Sequence, residues 1–169
     1  MKATSLLTGW TCRHLGDTAP GKPVTLPHDA MLAEPRTALS AGGTNTGWYE
    51  GHDYEYRRTL TVPENELADT HILEFEGVYH NAEVWLNGQK AAFRPYGYTN
   101  FYVDCAPYLH SGENDLRVIA RNADQPNSRW YSGAGIYRPV QLWTARGAYI
   151  ALNGVKIRTL SLDPAVVEV

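Results

Sequence analysis

The sequence predicts an all-β chain, a sandwich of two antiparallel sheets with little helix, and three observations predict it. Apolar residues recur at every second position over several short stretches, the period of half-buried strands. Turn residues separate those stretches at short intervals, the spacing of sandwiches and barrels. No stretch longer than a turn or two carries a helical period. At 169 residues the chain is long enough for one good core, since domains of this size bury roughly 70% of the surface their unfolded chain exposes.

The elements follow in order. Before Gly47 the pattern is weak: Pro20, Gly21, Pro23, Pro27 and Pro35 punctuate two short candidate strands, Leu6 to Arg13 and Lys22 to Leu26. This portion is expected to wrap the sandwich as loops and edge cover. From Tyr54 the alternation is clear, with Tyr54, Tyr56, Leu60 and Val62 on one face, Arg58 the exception on that face, and Arg57, Thr59 and Thr61 on the other. Pro63 ends the strand, and Glu64 to Asp69 suits a single helical turn. Next, Leu73 and Phe75 oppose Glu74 and Glu76, and then Ala82, Val84 and Leu86 oppose Glu83 and Trp85. Both stretches read as strands with one wet face. Asn87-Gly88 supplies the two positive-φ residues of a tight hairpin, with Gln89 to Phe93 as the return strand. Tyr98 to Asp104, Asp115 to Asn122, Ile136 to Thr144 and Tyr149 to Arg158 complete the series. Ser111-Gly112-Glu113-Asn114 and the long Asn122 to Gly135 connection separate them.

Composition excludes several function classes. The net charge is only -3 and the 15 Lys and Arg are scattered, so no footprint for nucleic acid exists. No apolar run approaches the about eighteen residues a membrane span needs, and MKATSLL is followed by Thr8-Gly9-Trp10 rather than by the apolar core of a secretion signal. A soluble, cytoplasmic protein is the expectation. Cys12 and Cys105 read as buried thiols rather than a disulfide. The six His show no paired ligand spacing and no neighbouring Cys, so neither a metal site nor any cofactor is expected. His28 and Asp29 are adjacent, point apart on an extended chain and lack a nucleophile, so a turn is the better reading.

Two motifs go further. FEGVYHNAEVWLNG at Phe75 to Gly88 and SRWYSGAGIYR at Ser128 to Arg138 together resemble the amino-terminal domain of family 2 glycoside hydrolases, the β-galactosidases, β-glucuronidases and β-mannosidases. The resemblance covers roughly Leu6 to Trp143 and includes LPHDA at Leu26 to Ala30 and GWYEGHDYEYRRTLTVP at Gly47 to Pro63. It implies a sugar-binding, galactose-binding-like jelly roll over residues 1–145. Residues 146–169 would then be a linker and the first strand or strands of an immunoglobulin-like domain, with a (β/α)8 barrel further on. The acid/base and nucleophile of such retaining enzymes, about 5 to 5.5 Å apart, belong to that barrel, so no catalytic residue is expected in this chain.

What the resemblance implies for binding is a share in the rim of a sugar pocket, with a β-galactoside the favoured substrate. Three residues are candidates. Arg129 stands where some relatives carry an acidic sugar contact; it offers forked donors, and Trp130 offers an apolar face to a pyranose ring. Both could instead pack their loop onto the sandwich. Asn45, in Gly42-Gly43-Thr44-Asn45-Thr46-Gly47, matches a region from which relatives extend a polar side chain, although a glycine-rich turn explains the same residues. Arg138 is expected in a structural ion pair, and Trp85 as a sugar platform or a domain contact. A self-standing carbohydrate-binding module and a ligand-free scaffolding sandwich are the rival readings. Finally, Ala165 to Val169 ends in a β-branched run without a turn residue. That is the expectation for a piece of a longer protein, with a strand that a second copy of the chain could complete.

Overall fold

The structure, a computed structural model, describes residues 1–169. Its strands are β1 (Lys2–Ser5), β2 (Trp10–His14), β3 (Lys22–Val24), β4 (Asp53–Val62), β5 (Thr70–Phe75), β6 (Ala82–Leu86), β7 (Gln89–Arg94), β8 (Phe101–Asp104), β9 (Gly112–Arg121), β10 (Val140–Ala145), β11 (Arg158–Leu162) and β12 (Ala165–Glu168). A four-stranded sheet in the order β1-β10-β5-β8 faces a six-stranded sheet in the order β3-β2-β4-β9-β6-β7, and β11 and β12 pair only with each other. Every pairing between strands is antiparallel. Three short 3-10 turns, Ala30–Ala33, Gly43–Thr46 and Glu64–Glu66, are the only helical segments.

The core forms where the period-two pattern turns its apolar faces inward. Tyr54, Tyr56 and Leu60 of β4 join one core with Leu73 and Phe75 of β5, together with Val84, Leu86, Leu116 and Val118, and Val62 is buried as well. Phe75 and Phe101 stack with centroids 5.0 Å apart. The predicted hairpin is present, with Asn87 at φ 50° and Gly88 at φ 78°. The Asn87 amide nitrogen donates to Asn114 Oδ1 at 2.7 Å and to the Tyr108 carbonyl at 2.8 Å. Cys12 and Cys105 are free and buried, and burial raises their thiols to about 11 and about 12.

Several expectations are corrected. The residues before Gly47 are more than edge cover: they place β2 and β3 in the large sheet and β1 in the small one. The strand expected from Asp115 begins at Gly112, because buried Asn114 satisfies its own amide with the carbonyls of His110 (2.8 Å) and Gly112 (3.1 Å). Tyr98 to Asn100 and Ile136 to Pro139 lie outside the strands expected there, and Tyr149 to Ile157 is irregular. The Ala165 run is not an unpaired strand, since β11 pairs with it.

The faces predicted to be wet are also partly covered. Glu74 is buried and accepts hydrogen bonds from Asn100, Tyr102 and Trp143 (2.7, 3.1 and 2.8 Å). On the outer face of the six-stranded sheet, Glu55 accepts from Arg13 (2.6 Å), Arg57 (3.0 Å) and Arg117 (2.5 Å), while Glu83 accepts from Arg121 (2.7 Å). Arg57 and Arg117 sit opposite each other in the β4–β9 register. Such a like-charged pair is unfavourable on its own, and Glu55 between them removes the penalty.

Burial pushes the Glu55 carboxyl up, but hydrogen bonds from Arg57 and Arg13 and the charge of Arg117 outweigh it and hold the group below its ordinary value of 4.5. A lowered folded-state value stabilises the protein above the ordinary carboxylate range, and the benefit disappears as pH falls through the folded value. Glu55→Gln should therefore cost about 2 kcal/mol at pH 7, a difference that closes below pH 4.5, as urea unfolding across that range will read. The native thiols should react with a disulfide reagent far more slowly than those of the unfolded chain.

Candidate functional site

Three segments converge beside the long connection after β9, each held by backbone pairing. Tyr79, from the EGVYHN motif, exchanges hydrogen bonds with Gly135 in both directions (2.9 and 2.8 Å). His28 and Ala30, from LPHDA, donate to the carbonyls of Ile136 (2.8 Å) and Ala134 (2.9 Å). Gly135 has φ 100°, and a β-carbon there would overlap the Tyr56 hydroxyl, so the GAGIY sequence needs glycine at that position.

Asp29 is the polar centre of this junction. Its carboxylate caps the 3-10 turn by accepting from the Met31 amide (3.1 Å), and also accepts from the Ala134 amide (3.0 Å) and the Tyr131 hydroxyl (2.6 Å). The turn expected at His28-Asp29 is thus present, and Asp29 additionally ties it to the long loop. His28 Nδ1 lies 2.8 Å from the Tyr56 hydroxyl. Burial lowers the imidazole's affinity for a proton against the pull of Asp29, and burial also keeps the Tyr56 phenol protonated.

The near end of the loop is equally fixed. Asn127 donates to Asn122 Oδ1 (2.8 Å) and the Asp124 carbonyl (2.8 Å) and accepts from the Tyr79 hydroxyl (3.1 Å). Its amide nitrogen also faces His80 Nε2 at 3.1 Å. Burial lowers the His80 pKa, opposed by Asp124 and Asp53, so the ring can accept.

Between these anchors the expected rim residues are left free. Arg129 is exposed and makes no hydrogen bond or ion pair within the chain. Trp130 is 61% exposed, with its indole nitrogen donating to the Tyr98 hydroxyl at 3.1 Å. Tyr98 in turn has Tyr79, Tyr96 and Tyr137 as ring neighbours at 5.3, 5.6 and 6.5 Å. The cluster places aromatic faces behind and beside Trp130, a feature that PYGYT signals only through its density of Tyr.

Asn45 occupies the turn Gly43–Thr46, and its side chain is not what makes the turn. Gly47 at φ 63° ends it, and buried Thr46 donates from its hydroxyl to the Tyr49 carbonyl at 2.9 Å. The segment reaches the long loop through the Tyr49 and Tyr131 rings, 6.0 Å apart, with the Arg36 guanidinium 4.8 Å from the Tyr49 centroid. Arg138 makes no ion pair and instead stands 5.4 Å from the Tyr137 ring centroid. Trp85 belongs to the charged outer layer, flanked by Arg117 and Lys90 at 5.7 and 5.9 Å. The spacing of His residues gave no sign of a ligand cluster, yet the fold assembles His14, Glu34 and His52.

Neither carboxyl whose proton affinity shifts is tuned toward acid/base work. Glu55 and Glu83 are both held below the ordinary range: burial raises each, and arginine hydrogen bonds outweigh it. That is the opposite of what a general acid requires.

The fold and this junction define the class, a galactose-binding-like β-sandwich presenting an aromatic rim. The chain belongs to glycoside hydrolase family 2, matching the "Glycosyl hydrolase 2 galactose-binding domain-like" family over residues 10–159. It is 39% identical over 161 residues to the β-galactosidase BoGH2A of Bacteroides ovatus, covering 89% of this chain and 19% of that protein. A β-glycosidase from Bacteroides vulgatus superimposes with a TM-score of 0.85 at 31% identity, covering 94% of this chain and 22% of that one. A family 2 member from Bacteroides cellulosilyticus superimposes with 0.77 at 30% identity, covering 85% and 20%. The chain thus spans about a fifth of the length of these relatives, and it corresponds to the family's amino-terminal domain.

Asp29→Ala should cost about 2 kcal/mol, because two amides and a phenol lose a charged acceptor. Hydrogen exchange should accelerate at Ala134 before it does in β4 or β9. Gly135→Ala should show the same pattern more strongly, with backbone strain alone of about 1–3 kcal/mol.

Proposed function

We propose that this chain is the non-catalytic amino-terminal part of a retaining β-glycosidase that acts on β-galactosides. In this reading it frames one side of the sugar pocket while the acid/base and nucleophile reside on a barrel elsewhere in the protein. One observation carries the proposal: a long loop pinned at both ends leaves Arg129 exposed with no partner in the chain, and Trp130 exposed apart from its indole hydrogen bond to Tyr98. Asn45, whose turn is closed by its neighbours, is the third contact. The β-galactosidase name of the Bacteroides ovatus relative supports the choice of sugar.

The same reading assigns residues 146–169 to the linker and first strands of an immunoglobulin-like domain. Supporting it, Ile150, Ile157, Leu162 and Val169 are strongly exposed, an apolar surface suited to cover by the rest of the protein. The free buried thiols Cys12 and Cys105 suit a cytoplasmic enzyme. No helix is long and apolar enough to cross a membrane.

Titration of the 169-residue chain with galactose, glucuronate and mannose, followed by amide shifts, tests the proposal. Galactose should perturb residues 129–131 with a Kd of about 1 mM or weaker, near -4 kcal/mol, and Trp130→Ala should abolish those shifts. Micromolar affinity would instead identify a self-standing carbohydrate-binding module. Turnover of a chromogenic β-galactoside by the chain alone would refute the reading.

A further inference from the structure

β2 ends at His14 on the inner face of the six-stranded sheet, opposite Tyr54 in the β2–β4 register. Two distant stretches close on it there. Glu34, just after the 3-10 turn Ala30–Ala33, puts Oε1 2.7 Å from His14 Nε2, and its Oε2 lies 3.7 Å from His52 Nε2. A second carboxylate, Glu50 Oε2, is 3.8 Å from His52 Nε2. The two imidazoles stack with centroids 4.3 Å apart at 21°. One donor atom from each of His14, Glu34 and His52 lies within 4.8 Å of the others.

The two Nε2 atoms lie against the two oxygens of one carboxylate, His14 on Oε1 and His52 on Oε2. Tyr54 holds that carboxylate from behind, its hydroxyl donating to Glu34 Oε1 at 3.1 Å, in the manner of an outer-shell partner.

We propose that His14, Glu34 and His52 form a binding site for a divalent cation of the zinc class, with Glu50 as the fourth ligand. A tetrahedral Zn2+ with bonds of about 2.0–2.1 Å places its donors about 3.3–3.4 Å apart; His14 lies 2.7 Å from one Glu34 oxygen, and His52 lies 3.7 Å from the other and 3.8 Å from Glu50. Two imidazoles and few oxygens suit Zn2+, Co2+ or Ni2+ and not Mg2+ or Ca2+, which require a shell of oxygen ligands. The histidine side chains are 40% and 36% exposed, whereas Glu34 is 10% exposed, so the ion enters from solvent onto a buried anchor.

The ligands also suggest what the ion does. Glu34 and Glu50–His52 stand at the two feet of the excursion that carries Asn45 and Tyr49, and His14 belongs to the sheet. A bound ion would fasten both feet to the sandwich. This consequence rests on the rim reading above; cation binding does not.

The test is a zinc titration of the 169-residue chain in competition with a chromophoric chelator, after chelator stripping. One equivalent should bind with a Kd of about 10 μM or tighter. Glu34→Gln and His52→Ala should each weaken binding at least tenfold, millimolar Mg2+ or Ca2+ should not compete, and zinc should slow hydrogen exchange across residues 35–49. Wild-type affinity in His52→Ala, or loss of binding in Cys12→Ser with affinity retained in Glu34→Gln, would overturn the assignment, as would a wild-type Kd weaker than 1 mM. Should one variant unfold, His14→Gln at the exposed end of β2 reads the same ligand set. Unchanged zinc affinity in Trp130→Ala separates this outcome from failure of the sugar reading.

Discussion

Paired backbone at Gly135, where Tyr79 donates to and accepts from the same residue, is the constraint on which the long-loop end of the molecule depends. A connection running from Asn122 to Pro139 would otherwise be a flexible tether, and ordering it would cost conformational entropy at every residue. The fold offsets that cost by using the loop to complete hydrogen bonds of two other segments, Leu26 to Ala30 and Val78 to His80. Three stretches far apart in the chain thereby become one surface. Asp29 joins two of them, capping its own turn, binding the Ala134 amide and fixing the Tyr131 ring.

Stability and presentation are divided between the two faces of the large sheet. Its inner face, apolar apart from Arg58 and His14, is closely joined to the small sheet, which accounts for the depth of burial of Tyr56, Leu73 and Val118. Its outer face is an alternating net of carboxylates and guanidinium groups that shields Glu55, Glu83 and Ile119 from water. A rigid platform results, with its charges mutually compensated. The rim residues sit outside that net, so Arg129 retains donors that no internal carboxylate claims.

Membership of glycoside hydrolase family 2 gives these features a setting. A domain that spans about a fifth of its relatives has no need of catalytic carboxyls, and the two here whose affinity for protons shifts both move toward permanent ionisation. What it can contribute is position. In the proposed rim role, a loop fixed at both ends, an aromatic cluster behind Trp130, and a second excursion carrying Asn45 would present side chains at a set place with little entropy left to lose on binding.

The all-β class, the hairpin at Asn87-Gly88 and the inward faces of β4, β5 and β6 were legible in the amino-acid order, because period-two patterning and positive-φ turn chemistry are properties of neighbouring residues. The motif pair around Tyr79 and Gly135 was legible too, and with it the family. Other features were not. Glu74 and Glu83 read as solvent-facing, since alternation records only which side of a strand a residue takes and not what covers that side. Asp29 and Arg138 were misjudged in part, one gaining three partners and the other lacking its ion pair, because partners beyond the local segment leave no periodic trace. His14, Glu34 and His52 show no ligand spacing in the chain at all. Local order decided what each segment became; closure of the sheets decided which distant side chains met, since only the folded backbone brings residues so far apart in sequence within bonding distance.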